Sequence, residues 1–196
     1  MSAFRSVAVV PAAGAGERFG GDKLLADIDG ETMIDRTIAA LLDGGVDEVI
    51  VVFGPDGASL QRDVSSLLDA RVRPELNQDP SRGMLSSIQE GLRTAHGEAL
   101  LVLPGDMPYV RSDSVALLLE TFGRAPAIVS PRHRGKRGHP IVLPYLLRDE
   151  VLAADPRSNL HEVLKPHAAE RVDLDVDDAG VVRDVDTRSD IGVRSQ

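Results

Sequence analysis

The chain has 196 residues, no cysteine, and 31 acidic against 22 basic side chains, for a net charge of -9. The absence of cysteine excludes disulfides, thiolate metal sites and a cysteine nucleophile, and the acidic balance opposes general attraction to nucleic acid or to an anionic membrane. Such a length fits one domain, expected over residues 1–196, burying roughly 70% of its unfolded surface.

Taken in chain order, the apolar run Ser6 to Pro11 predicts a buried strand, and a glycine-rich segment containing Arg18 and Lys23 follows it directly. Helical periodicity runs from Thr32 to Asp43, with Met33, Ile34, Ile38, Leu41 and Leu42 on one face and Gly44-Gly45 as the stop. The pattern next predicts a strand at Glu48 to Phe53, a helix at Ala58 to Asp69, a strand at Arg71 to Leu76 and a helix at Gly83 to Thr94. It continues with a strand at Ala99 to Leu103, a helix at Ser112 to Phe122 and a strand at Ala127 to Ser130. Beyond these, Pro131 to Pro144 reads as a basic loop leading into a short strand, helices are predicted near Leu146 to Ala153 and Asn159 to Leu164, and a final strand pair at Arg171 to Val176 and Val181 to Val185. Strands alternating with helices predict an α/β protein with a mostly parallel sheet, whose ligands bind beyond the carboxyl ends of the strands. The first residues lack the long apolar stretch of a signal peptide, and no run approaches the roughly 20 apolar residues of a membrane span; a cytoplasmic protein is the expectation.

The segment Val10 to Leu25 lies at such a carboxyl end. Small residues that free backbone amides, with Arg18 and Lys23 beside them, suit a polyphosphate. The segment is not a P-loop: the fifth residue after Gly16 is Gly21, but Asp22 comes next and Lys23 is followed by Leu24. It also fails the dinucleotide fingerprint, because Phe19 stands where the third glycine is required and the strand ending Val52-Phe53-Gly54 carries no acid for a ribose.

The pattern Ala-Ala-Gly-x-Gly-x-Arg-x-Gly-x-x-Lys from Ala12 to Lys23 resembles the signature of nucleotidyltransferases that move a nucleoside monophosphate from a triphosphate to a phosphorylated acceptor. Asn77 to Ser87 is similar to that group's Asn-(x)5-Gly-Met-x-x-Ser element, Leu103 to Pro108 to its Leu-x-Gly-Asp-x-Pro, Gly138 to Pro140 to its Gly-His-Pro, and Asp184 to Thr187 to its Asp-Ile-Asp-Thr-Pro. On these motifs the chain is identified as a member of the MobA-like, molybdopterin-guanine-dinucleotide synthase-like group, and within it resembles the molybdenum cofactor cytidylyltransferases. It departs from the pattern at Pro11, where relatives often have Leu, and at Arg188, where Pro is usual.

The resemblance implies a Rossmann-like, three-layer α/β/α fold of the GT-A type, and Mg2+-dependent transfer of CMP from CTP to the phosphate of a molybdopterin-type cofactor with release of pyrophosphate. The nucleotide-binding residues it implies are Ala12, Ala13, Gly14, Ala15, Gly16, Arg18, Lys23, Gly83 and Ser87, with Lys23, Arg18 and Asp106 catalytic. Asp106 and Asp186 are the implied metal ligands, and Gly138, His139 and Pro140 the acceptor-binding segment. The Ala-Ala-Gly form leans towards cytosine, whereas guanylyl-transferring relatives tend to carry Ala-Gly-Gly. Two carboxylates about 4 Å apart repel by roughly 4 kcal/mol at an effective dielectric of 20, so Asp106 and Asp186 belong together only with a cation between them. Hard oxygen donors and substrate phosphates indicate Mg2+. Asp184, two residues before Asp186, shares its strand face as a further partner, and Asp22 reads as a cap or a balance for Lys23.

The run Arg132 to His139 holds six basic or imidazole side chains in eight positions; it reads either as a solvated loop or as a mobile clamp on an anionic acceptor. His139 need not act as a base, because a phosphate monoester's second pKa of about 6 leaves the attacking oxygen largely ionised at neutral pH. Met84 and Ile88 read as core, and His96, His161 and His167 as structure or solvent. The expected partners are a nucleoside triphosphate and a phosphorylated pterin, with no nucleic acid and no membrane. The alternatives are GTP in place of CTP, a sugar-phosphate or phospholactate acceptor, a redox enzyme of the nicotine-blue oxidoreductase type, and a non-catalytic protein that hands cofactor to a molybdoenzyme or chaperone partner.

Overall fold

The computed structural model describes residues 4–14, 23–55 and 57–192. β1 (Ser6–Ala12) is buried at every position, as a strand paired on both edges and covered on both faces must be. The short ribbon β2 (Asp27–Ile28) and β3 (Glu31–Thr32) leads into α1 (Met33–Asp43), capped by the Thr32 side chain on the Asp35 amide. Then come β4 (Glu48–Phe53), the single turn α2 (Gly57–Leu60), β5 (Val72–Leu76), α3 (Met84–Thr94), β6 (Ala99–Val102) and α4 (Ser112–Arg124). The second half adds β7 (Ile128–His133), β8 (Lys136–Arg137), β9 (Ile141–Pro144), α5 (Arg148–Ala153), α6 (Leu160–Leu164) and β10 (Arg171–Asp175).

Among the described residues the main sheet has the order β10-β7-β9-β6-β1-β4-β5, with β8 attached to β7. β1 pairs in parallel with β4 and β6, β4 with β5 and β7 with β10, while β9 runs antiparallel to both β6 and β7. Alternation along β1 builds a core on each side: Ala8 and Val10 pack with α1 and α4 through Ile34, Ile38 and Leu118, and Val7 and Val9 pack with α3 and the helices of the second half through Ile88, Leu92 and Leu164. Each such Leu or Ile contributes about 1.5–3 kcal/mol on burial. The expected three-layer α/β/α architecture with a mostly parallel sheet is therefore the observed one. No helix among the described residues is long and apolar enough to cross a membrane.

Three expectations are corrected. The helix expected over Ala58 to Asp69 is replaced by α2 and two 3-10 turns, Gln61–Asp63 and Ser65–Leu68, separated by extended Val64. Asp35 of α1 accepts hydrogen bonds from the Ser66 amide and hydroxyl at 2.8 and 2.7 Å, and from the Ser65 amide at 3.3 Å. A carboxylate from another element thus restarts the chain at Ser65, a competition that serine invites. The expected strand at Val181 to Val185 is absent: Ala179–Val182 wind into a 3-10 turn capped by Asp178, and β10 finds its partner in β7. The basic loop of residues 132–139 is a hairpin of β7 and β8, in which Arg132 pairs with Asp175 and Arg137 with Asp173, both at 2.7 Å.

Candidate active site

The carboxyl end of β1, the start of α3 and the loop after β6 enclose a cleft of about 160 Å³. Its lining brings together Ala12, Ala13, Gly14, Lys23, Gly83, Ser87 and Asp106, which the sequence scatters over more than ninety positions. Ala15, Gly16 and Arg18 lie outside the described residues.

Asp106 is fixed through its loop. The Leu103 amide donates to the Val9 carbonyl at 3.1 Å and the Gly105 amide to the Pro11 carbonyl at 3.0 Å, while the Thr37 hydroxyl holds the Gly105 carbonyl at 3.1 Å. Pro11 falls beyond the last β1–β6 pair, Val9 with Val102, so its missing N–H interrupts no rung of that ladder. Asp186 arrives on a segment tied to the same loop, since the Val185 amide donates to the Asp106 carbonyl at 2.9 Å. Asp190 holds this segment, its carboxylate accepting from the Asp186 amide at 3.1 Å, the Thr187 amide at 2.7 Å and the Thr187 hydroxyl at 2.8 Å. Asp190 carries no role in the sequence reading, although Thr187-x-x-Asp190 is a capping-box pattern.

Lys23 Nζ donates to Asp106 Oδ2 at 2.9 Å and to Asp186 Oδ1 at 3.1 Å. The lysine side chain is only 12% exposed, against 26% for Asp106 and 54% for Asp186. Burial pulls the ammonium down, but the hydrogen bonds and charges of Asp106 and then Asp186 outweigh it, so its pKa lies above that of an ordinary lysine. Between the two aspartates, where the sequence reading expects Mg2+, lies the Lys23 ammonium.

The opposite side of the cleft depends on Gly83, whose φ of +105° favours glycine and turns the chain into α3. Asn77, fully buried, donates to Ser86 Oγ at 2.8 Å and Ser87 Oγ at 3.0 Å and accepts from the Asp79 amide at 3.0 Å. Ser87 Oγ accepts from Asn77, and its hydroxyl keeps one proton to donate. Asn77 stood in the motif without a role; it positions Ser87.

A second cleft, of about 340 Å³, lies on the α3 side of the sheet and includes Gly138 and His139 in its lining; Pro140 is buried and is not among the lining residues. Gly138 has a packing reason of its own, because a Cβ there would sit 1.8 Å from the Val181 carbonyl oxygen. The next amide, of His139, donates to that same carbonyl at 2.7 Å. Burial lowers the His139 pKa against the opposing charges of Asp106 and Asp184, which keeps the ring neutral at pH 7. Asp184 thus faces His139 electrostatically. Met84, expected in the core, is 55% exposed and lines both clefts, and His161, expected to be structural or solvated, lines the second.

Over residues 8–172 the sequence matches the MobA-like NTP transferase domain. The chain belongs to that family. A probable molybdenum cofactor guanylyltransferase of Methanothermobacter thermautotrophicus is 36% identical over 124 residues, 63% of this chain but only 61% of that protein's length. Other matched relatives have the same description. The nicotine blue oxidoreductase of Paenarthrobacter nicotinovorans is 32% identical over 191 residues, 91% of each chain. Among solved structures, Rv0371c of Mycobacterium tuberculosis H37Rv superposes with a TM-score of 0.81 over 95% of both chains at 22% identity, and a second structure of that protein is a complex with manganese.

Proposed function

We propose that this protein transfers a nucleoside monophosphate from a nucleoside triphosphate, GTP first, to a phosphate oxygen of a small phosphorylated acceptor of the molybdopterin type. The observation that carries this reading is the Lys23 ammonium between Asp106 and Asp186 beside a cleft lined by Ala12, Ala13 and Gly14. That combination of a cation, paired carboxylates and small-residue backbone is what a polyphosphate with a divalent ion needs. The guanylyltransferase relatives support GTP, and the Ala-Ala-Gly form of the loop supports CTP as the competing donor. The reading takes residues 1–196 as a single catalytic domain.

Asp106 and Asp186 fit Mg2+, which is commonly held by one or two carboxylates with phosphates and waters completing the shell. No group of three or more His, Cys, Asp or Glu suited to a metal occurs among the described residues, so phosphates are the natural remaining ligands. When bound, the ion supplies Lewis-acid neutralisation of charge on the phosphates. Lys23, released from the aspartates, brings its ammonium to the phosphates, where it stabilises charge on the departing pyrophosphate. Gly14 and its neighbours present backbone, and Ser87 contributes its hydroxyl proton to ribose or base. The acceptor's phosphate oxygen attacks the α-phosphorus as the bond to the β-phosphate oxygen breaks. Neutral His139 orients that acceptor by hydrogen bonding and removes no proton, since the attacking oxygen is already ionised.

Pyrophosphate release from each of the four triphosphates with isolated molybdopterin, for wild type and Asp106→Ala, tests this. Release with GTP, lost in the variant, supports it; release with CTP alone reassigns the base, and retained activity in Asp106→Ala overturns the site. The match over 91% of both chains favours a second reading, an oxidoreductase on this fold. Oxidation of a reduced nicotinamide cofactor, with no pyrophosphate from any triphosphate, would establish it.

A further inference from the structure

We propose that the second cleft is an anion-recognising subsite, in which Arg171 and Ser130 receive an oxyanion, a carboxylate or a phosphate, carried by an apolar body. The inference deepens the nucleotidyltransferase reading, because it describes the chemistry of the acceptor's far end.

Two buried polar atoms carry it. Ser130, on β7, is 1% exposed and its hydroxyl has no hydrogen-bond partner; Arg171, which opens β10, has a buried Nε in the same condition. Three such atoms occur among the described residues, and two of them line this one cleft, the third belonging to Arg36. Buried donors are ordinarily paired, so two orphans on residues that line one cleft point to a partner that reaches them through it. β7 and β10 run parallel with Ser130 opposite Asp173, and alternation puts Arg171 on the same face as Asp173. Asp173 is engaged by Arg137 at 2.7 and 3.0 Å. Arg171 therefore keeps only an electrostatic share of that carboxylate, while burial and the like charge of Arg137 weigh against its own charge.

The composition of the lining agrees. It contains Arg137, His139, His161 and Arg171 and no carboxylate, in a chain whose net charge is -9. With His139 neutral and Arg137 committed to Asp173, the positive charge left to draw an anion into the pocket is that of Arg171. The facing wall, with Leu85, Ile88, Ile141 and Leu160, is apolar and suits a flat or hydrocarbon body more than a bare inorganic ion. Met84 lines both clefts and marks where they adjoin. A single acceptor then places its reacting phosphate by His139 and Asp106 and its body over Ile88, with a second anionic group on Arg171.

Calorimetric titration of the full chain, without triphosphate or metal, tests the site with phenyl phosphate, inorganic phosphate and benzyl alcohol. Phenyl phosphate is expected to bind one to one, inorganic phosphate more weakly and benzyl alcohol not measurably. Arg171→Gln should weaken phenyl phosphate by about tenfold or more, the scale of one charged hydrogen bond. Ser130→Ala should weaken it by a few fold without lowering the melting temperature, because the hydroxyl it removes has no internal partner. GTP affinity should be unchanged in both variants. Absent phenyl phosphate binding, binding indifferent to both substitutions, or a lowered melting temperature in Ser130→Ala would overturn the proposal. If GTP fails to bind while phenyl phosphate binds through Arg171, the nucleotidyltransferase reading falls and this site stands.

Discussion

The two clefts lie side by side along α3 and are furnished in opposite ways. In the smaller, the charged groups satisfy one another: Lys23 bridges Asp106 and Asp186, and Asn77 holds Ser86 and Ser87. In the larger, Ser130 and Arg171 have buried atoms with no partner. A paired cluster can exchange its ammonium for a harder cation and a phosphate without a bare charge at any stage. An unpaired one already bears the desolvation cost in the free protein and recovers it when a ligand arrives. The difference predicts that occupancy stabilises the larger cleft more per contact, while the smaller governs the chemistry.

The sharpest way to break that division is Asp106→Ala. It should reduce pyrophosphate release by about 10³-fold, the scale of losing a preorganised electrostatic group, while thermal melting stays close to wild type. Next comes Lys23→Met, expected to cost about 10²-fold in turnover. Without the ammonium, Asp106 and Asp186 face each other uncompensated, so affinity for Mn2+ in the absence of nucleotide should rise by about tenfold, read by electron paramagnetic resonance. Unchanged Mn2+ affinity would mean that Lys23 and the metal do not share one position.

A carboxylate paired for structure alone supplies the reference. Asp35 is raised by burial but lowered further by the side chains and amides of Ser66, Thr32 and Ser65, so its pKa falls below the usual carboxylate range. Its contribution is complete above the unfolded value of about 3.9 and is lost as pH falls through the lower folded value. Asp35→Asn should reduce stability by about 2 kcal/mol at neutral pH and flatten that acid limb, measured by urea denaturation across pH, with nucleotide affinity unaffected. The smallest effect belongs to Gly83→Ala: its new Cβ meets only the Pro156 carbonyl at an ordinary 3.7 Å, so the cost is the positive φ, about 1 kcal/mol. Chemical denaturation should register that loss, together with weaker triphosphate binding if Gly83 shapes the smaller cleft.

Much of the molecule was legible in the sequence, and the exceptions share a cause. β1, β4, β6 and α1 announce themselves because a strand buried on both faces needs an unbroken apolar run and a covering helix needs a 3.6-residue stripe. The segment 58–69 misleads because its helical spacing is overridden by Asp35, more than twenty residues earlier, which captures the Ser65 and Ser66 amides. Val181 to Val185 has strand composition, but its start is wound into the turn capped by Asp178 and its end is used to carry Asp186 to the Asp106 loop. Asn77 and the Asp190 cap were visible as motif letters, yet what they hold depends on contacts that spacing does not encode.

Local pattern by itself therefore determined the α/β class, the family and the short list of residues about Ala12, Lys23, Asp106 and Asp186, because periodicity and turn chemistry act over a few neighbours. Only the tertiary structure decided that an ammonium separates the two aspartates, that the basic run is a hairpin whose Arg132 and Arg137 pair with β10, and that Ser130 and Arg171 line one cleft with buried atoms unpaired. Those outcomes depend on which distant groups meet, and hydrogen bonds and desolvation are settled between neighbours in space.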